Sequence, residues 1–297
     1  MQLQFMTTPD QHQIAYATFG AAHNTPLLVL HGGPGSGANA ADAGLFNPDK
    51  HLVVMFDQRG CGRSTPSGDI QHNTTQHLLA DIEQLRTTLN IERWRVYGGS
   101  WGATLALEYA KQHPDQVTSI ILRGSFAARK QDLDWFIRPD GIARQHPAAY
   151  RKLTEQLSPA ADQPLTSRLY ELVTGHDEEN AYRAALSWDH WEASVMGTPP
   201  AVTETTPEQR MARINRKKVY AHYCHHAFFL GEQGVFPGLD KLGNIPVTLI
   251  HGRHDPVCPL PAAQALMGAI PNAELVAVNA GHGLHEKAIQ AALKALL

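Results

Sequence analysis

The chain has 297 residues, with 25 Lys and Arg against 28 Asp and Glu, for a formal net charge of −3 at pH 7. Folded chains of this size hide about 75% of the surface that the unfolded chain exposes, so no disulfide or metal staple is needed. A content of 43% hydrophobic and 18% charged residues excludes a disordered chain, and the acidic balance lacks the basic surplus of a nucleic-acid footprint.

Cys61, Cys224 and Cys258 form an odd, widely spaced set. That argues against a disulfide framework and for a reducing compartment. Residues 1–20 carry no apolar stretch of the signal-peptide kind. No apolar run approaches the ~18 residues of a membrane span. The expected setting is the cytoplasm, with neither membrane nor nucleic acid as a partner.

Residues 2–19 read as a hairpin, two short apolar runs around Thr8-Pro9-Asp10. Leu27 to Leu30 and Leu52 to Phe56 are continuous apolar runs, as in parallel strands covered on both faces. Leu78, Ile82, Leu85 and Leu89 then recur at helical spacing, with Thr74 or Thr75 placed to cap the helix. A strand at Trp94 to Tyr97, a helix at Ala103 to Gln112 and a strand at Val117 to Leu122 follow. This alternation predicts a doubly wound α/β sheet. It stops near Gly124 and resumes with a strand at Ile245 to Ile250. A helix from Pro261 to Ala269, a strand from Glu274 to Val278 and a helix from Leu284 onward complete the pattern. The expectation is one α/β core, residues 1–124 and 241–297, interrupted by a helical insertion at 125–240.

Gly98-Gly99-Ser100-Trp101-Gly102 stands between a predicted strand and a predicted helix. In that context G-x-S-x-G is a nucleophile turn. Glycines at −2 and +2 remove side chains that would collide, and Ser100 would stand exposed at a helix start, where free amides favour negative charge. A serine needs a base held by a third group, and folds with this turn supply them in the order serine, acid, histidine. Asp255 follows the strand at 245–250, and His282 sits between glycines after the last strand. His282 is then the base and Asp255 its orienting group. His251, His254 and His285 are weaker rivals, His285 because it falls inside the predicted helix; Asp57 and Glu274 are rivals of Asp255. An oxyanion hole needs two N–H donors, and the Trp101 amide and the Gly33 amide of His31-Gly32-Gly33-Pro34-Gly35 are the candidates.

HGGPG at 31–35, DQRGCGRS at 57–64, GGSWG at 98–102, GRHDPVCP at 252–259 and AGHG at 280–283 occur in this order. LALEYAKQHPDQV at 105–117 and LRGSF at 122–126 extend the set. Together they resemble the prolyl aminopeptidases of the α/β-hydrolase superfamily. The resemblance implies an α/β-hydrolase fold with an inserted helical cap domain that captures a free N-terminal amine. A desolvated ammonium needs a close counter-charge. Trp188-Asp189-His190-Trp191-Glu192 is similar to the family's W-x-x-W-E segment, which makes Glu192 the amine ligand. The family's second glutamate is replaced by Tyr220, a phenol neutral at pH 7; Glu232 could substitute but no motif anchors it. Phe126 and Phe136 match positions that line the proline-ring pocket, and would serve equally as cap packing. Cys258 matches a cysteine at the site rim, implying sensitivity to thiol reagents; the plain alternative is a small buried hydrophobe.

His222, Cys224, His225 and His226 match no zinc spacing. Arg210, Arg213, Arg216, Lys217 and Lys218 read as a solvated helix face. The expected activity is release of an N-terminal residue, preferably proline, from short peptides or amino-acid amides with a free N-terminus, through an acyl-enzyme and with no cofactor or metal. The alternatives are an esterase, amidase or arylamidase with no amine requirement, or a catalytically silent binding protein. Epoxide hydrolase and dehalogenase chemistry need Asp where Ser100 stands.

Overall fold

The structure, a computed structural model, describes residues 2–297. Its centre is an eight-stranded sheet in which the strands lie side by side in the order Gln2–Thr7, Gln13–Phe19, His51–Phe56, Thr25–Leu30, Trp94–Gly99, Val117–Arg123, Val247–Gly252 and Ala273–Val278. The expected hairpin is β1 (Gln2–Thr7) and β2 (Gln13–Phe19), which pair antiparallel. β2 runs antiparallel to β4 (His51–Phe56). The rest is parallel: β3 (Thr25–Leu30), β5 (Trp94–Gly99), β6 (Val117–Arg123), β7 (Val247–Gly252) and β8 (Ala273–Val278). Parallel pairing brings the carboxyl ends of these strands to one edge, where α/β sheets bind ligands.

Period-two alternation divides the strand side chains between two cores. Leu28, Leu30, Val96, Ile120 and Leu249 pack with α1 (Thr75–Thr88), α2 (Trp101–Gln112) and α8 (Leu260–Ala269). Leu27, Val29, Tyr97, Ile121 and Ile250 pack on the other face with α9 (Lys287–Leu296) and a 3-10 turn at Ala40–Leu45. Thr74 is the cap of α1, its hydroxyl accepting from the His77 amide at 3.4 Å.

The last helix begins at Lys287 rather than near Leu284. The Glu286 carboxylate turns back to accept the amides of Gly281 at 2.8 Å and Gly283 at 3.1 Å, so 283–286 form a braced loop. His285 therefore lies outside the helix, contrary to expectation.

Residues 125–240 are helical, with no strand among the described residues. α3 (Lys130–Ile137), α4 (Pro147–Leu157), α5 (Leu165–Thr174), α6 (Glu178–Met196) and α7 (Pro207–His225) share an apolar core of their own, centred on Trp188, Trp191, Leu157 and Leu169. No described helix is long and apolar enough to cross a membrane.

Candidate active site

Ser100 joins β5 to α2 with φ 55° and ψ −118°. A non-glycine residue there costs about 1–3 kcal/mol and must be held by its surroundings. The Ser100 amide donates to the Arg123 carbonyl at 2.8 Å, and the Ser100 carbonyl accepts from Ala103 at 2.9 Å. A Cβ on Gly98 would lie 2.2 Å from the Gly102 carbonyl oxygen, and one on Gly102 would lie 2.2 Å from that of Leu30. The two glycines of the motif are thus required by backbone approach.

His282 and Asp255 leave neighbouring strands and meet. His282 Nδ1 donates to Asp255 Oδ2 at 2.7 Å, which leaves Nε2 as the free ring nitrogen. Asp255 Oδ1 accepts the amides of Val257 at 2.9 Å and Cys258 at 2.8 Å. Burial pushes this carboxyl up, but His282, His251 and the Cys258 amide outweigh it and hold it below its usual range. His251 is fully buried, 3.6 Å from Asp255, and donates from Nε2 to the Cys258 carbonyl at 2.7 Å. Burial depresses its pKa and keeps it neutral. Asp57 is instead consumed by the Ala38 amide, at 2.6 Å, and by Arg63. Glu274 accepts from Thr248 on the exposed side of the sheet.

Ser100 and His282 line one cavity of about 490 Å³. No hydrogen bond joins them in this structure, as is common before substrate tightens a site. Gly33, Phe126, Phe136, Glu192, Tyr220 and Cys258 line the same cavity. Glu232 lines a separate surface depression. A Cβ on Gly32 would lie 3.3 Å from Ser100 Cβ, so the 31–35 loop presses on the nucleophile turn. The Trp101 amide opens α2 and has no backbone acceptor.

Several positioning groups escaped the sequence reading. Gln58 bridges the two candidate oxyanion segments: its Nε2 donates to the His31 carbonyl at 3.0 Å, and its Oε1 accepts from Trp101 Nε1 at 2.9 Å. His31 accepts from the Gln58 amide at Nε2 and donates from Nδ1 to the Gly32 carbonyl at 2.7 Å. Burial lowers its pKa, consistent with that neutral tautomer. Arg123 Nη1 donates to the His282 carbonyl at 2.9 Å and pins the histidine loop. Their signal lay in the stretches HGGPG, DQRGCGRS and LRGSF, at the carboxyl ends of β3, β4 and β6, although the sequence assigned these three residues no role.

The insertion corrects one further reading. Arg213 and Lys217 are buried rather than solvated, and they enter an ion-pair network with Asp189, Glu192 and Glu204. Cys258 is buried in the wall of the cavity that Ser100 also lines; burial, then the Asp255 charge, pushes its thiol well up.

A strained serine at a strand–helix turn, with a histidine and a buried carboxylate at the same sheet edge, defines a hydrolase of the α/β type. A family model described as the alpha/beta hydrolase fold matches residues 25–288. A proline iminopeptidase of Xylella fastidiosa (strain 9a5c) is 38% identical over 282 residues, covering 93% of this chain and 89% of the relative. One from Arabidopsis thaliana is 36% identical over 289 residues, covering 96% and 76%. The solved proline iminopeptidase of Mycobacterium smegmatis superposes with a TM-score of 0.65 at 23% identity, covering 99% and 97%, a likeness of fold. The chain belongs to the proline iminopeptidase family of the α/β hydrolases.

Proposed function

We propose that this chain is a serine aminopeptidase that releases N-terminal proline from short peptides and amino-acid amides. The hydrogen bond between His282 Nδ1 and Asp255 Oδ2 carries the mechanistic reading, because it leaves His282 Nε2 free to act as a base. His282 takes the Ser100 proton as Oγ bonds to the carbonyl carbon of the first residue. The amides of Gly33 and Trp101 hold the oxyanion. His282 then returns the proton to the departing amine as the C–N bond breaks. Water repeats the cycle in reverse, giving the free amino acid and regenerating Ser100. No step calls for a metal or cofactor.

Residues 125–240 act in this reading as a cap domain over the sheet edge, an assignment supported by their separate apolar core. Glu192 faces the substrate amine. Phe126 and Phe136 offer an apolar wall to a pyrrolidine ring, which has no polar side-chain group to satisfy. The three free, buried cysteines support a reducing, cytoplasmic setting.

Turnover of Pro-β-naphthylamide, its N-acetylated form and a p-nitrophenyl ester tests the reading. The free-amine substrate is expected to be cleaved fastest of the two naphthylamides. Faster cleavage of the blocked one would assign the chain to the esterases or amidases.

A further inference from the structure

Three carboxylates line the cavity beside Ser100: Asp42, Asp132 and Glu192. None is an unopposed anion. Asp132 is bound bidentately by Arg129, at 2.7 and 2.9 Å. Burial pushes the Asp42 carboxyl up against the pull of Arg123. Glu192 has both oxygens engaged: Oε1 accepts from Trp188 Nε1 at 3.0 Å, and Oε2 lies 2.5 Å from Lys217 Nζ.

Lys217 pairs with Glu192 without itself lining the cavity. Its side chain is 5% exposed. Nζ also sits 2.7 Å from Asp189 Oδ1 and 5.1 Å from the centre of the Tyr220 ring. Behind it, Arg213 and Arg216 bind Asp189, and Arg213 binds Glu204 at 2.8 Å. Lys217, Arg213 and Arg216 therefore face Asp189, Glu192 and Glu204, and the cluster is neutral before substrate arrives. A protonated amine brought to Glu192 makes it net positive in a desolvated place, where an uncompensated charge is costly.

We propose that Lys217 is a specificity-determining residue, a resident cation that competes with the substrate ammonium for Glu192 and blunts discrimination for charged over neutral N-terminal groups. The inference rests on Glu192 as the amine ligand. The substrate class follows from it: a five-membered ring next to the scissile carbonyl is held by the apolar wall, and its amine contributes little.

Inhibition of p-nitrophenyl acetate hydrolysis by prolinamide and by its neutral ring analogue cyclopentanecarboxamide tests this. In the native chain the two constants are expected to agree within about threefold. In Lys217→Met the preference for prolinamide is expected to grow by at least about fivefold. An unchanged or reduced preference in that variant overturns the proposal. So does prolinamide binding about tenfold tighter than the analogue in the native chain, a result that holds even if the variant fails to fold. Hydrolysis of p-nitrophenyl acetate without any cleavage of Pro-β-naphthylamide would overturn the aminopeptidase reading instead, and the two inhibition constants would still decide the role of Lys217.

Discussion

Asp255 and His282 lie 27 positions apart on successive loops, yet share a 2.7 Å hydrogen bond. The carboxylate is completely buried and the imidazole side chain 9% exposed. That asymmetry suits a group that fixes a tautomer beneath one that exchanges protons with the cavity. Asp255→Asn keeps the shape and removes the charge. Its kcat on Pro-β-naphthylamide is expected to fall by about three to four orders of magnitude. Steady-state kinetics, with circular dichroism confirming the fold, checks this.

Glu192→Gln leaves Lys217 beside the cavity with one carboxylate fewer. The cluster becomes net positive and repels an ammonium. The ratio of kcat/KM for Pro-β-naphthylamide to that for p-nitrophenyl acetate is expected to drop at least about tenfold. Equal losses on both substrates would remove Glu192 from the amine site.

Arg59 grips Asp81 with two bonds, 2.6 and 2.8 Å, beneath the loop after β4. Both residues are buried. Asp81→Ala removes both bonds and leaves the buried guanidinium only Asp10 and the His72 carbonyl, and is expected to cost about 2–3 kcal/mol of stability. The shift in urea midpoint at constant m-value measures it.

His222 supplies a pH dependence of stability. Its Nε2 donates to the Asn73 carbonyl at 2.9 Å, and its Nδ1 is buried without a partner. Burial, more than the neighbouring cations, lowers its pKa to about 4. The unfolded chain, with an imidazole near 6.5, binds the extra proton first. Stability is therefore expected to fall as pH drops from about 6.5 to about 4, and to level off below. His222→Gln should lose less stability across this window. Denaturant midpoints at pH 7.5, 5.5 and 4.5 make the comparison.

The nucleophile turn was legible because its cause is local: Gly98 and Gly102 announce a backbone crossing, and Ser100 stands between two elements of clear periodicity. Asp255 and His282 were legible from their place at strand ends. Lys217 was not. Its partners Asp189 and Glu192 lie on another helix, and a basic run on α7 has the same pattern whether it faces water or buried acids. His285 was misplaced because the apolar Leu284 reads as helix, whereas Glu286 spends its carboxylate on the loop amides. Tyr220 as an isolated substitution carried only half the message; the other half was the cation one helical turn before it.

Covalent labelling tests the nucleophile most directly. A fluorophosphonate should form one adduct on Ser100, located by peptide mass spectrometry, with matching loss of Pro-β-naphthylamide cleavage. Cleavage that persists while Ser100 is fully labelled, or in Ser100→Ala, would contradict it.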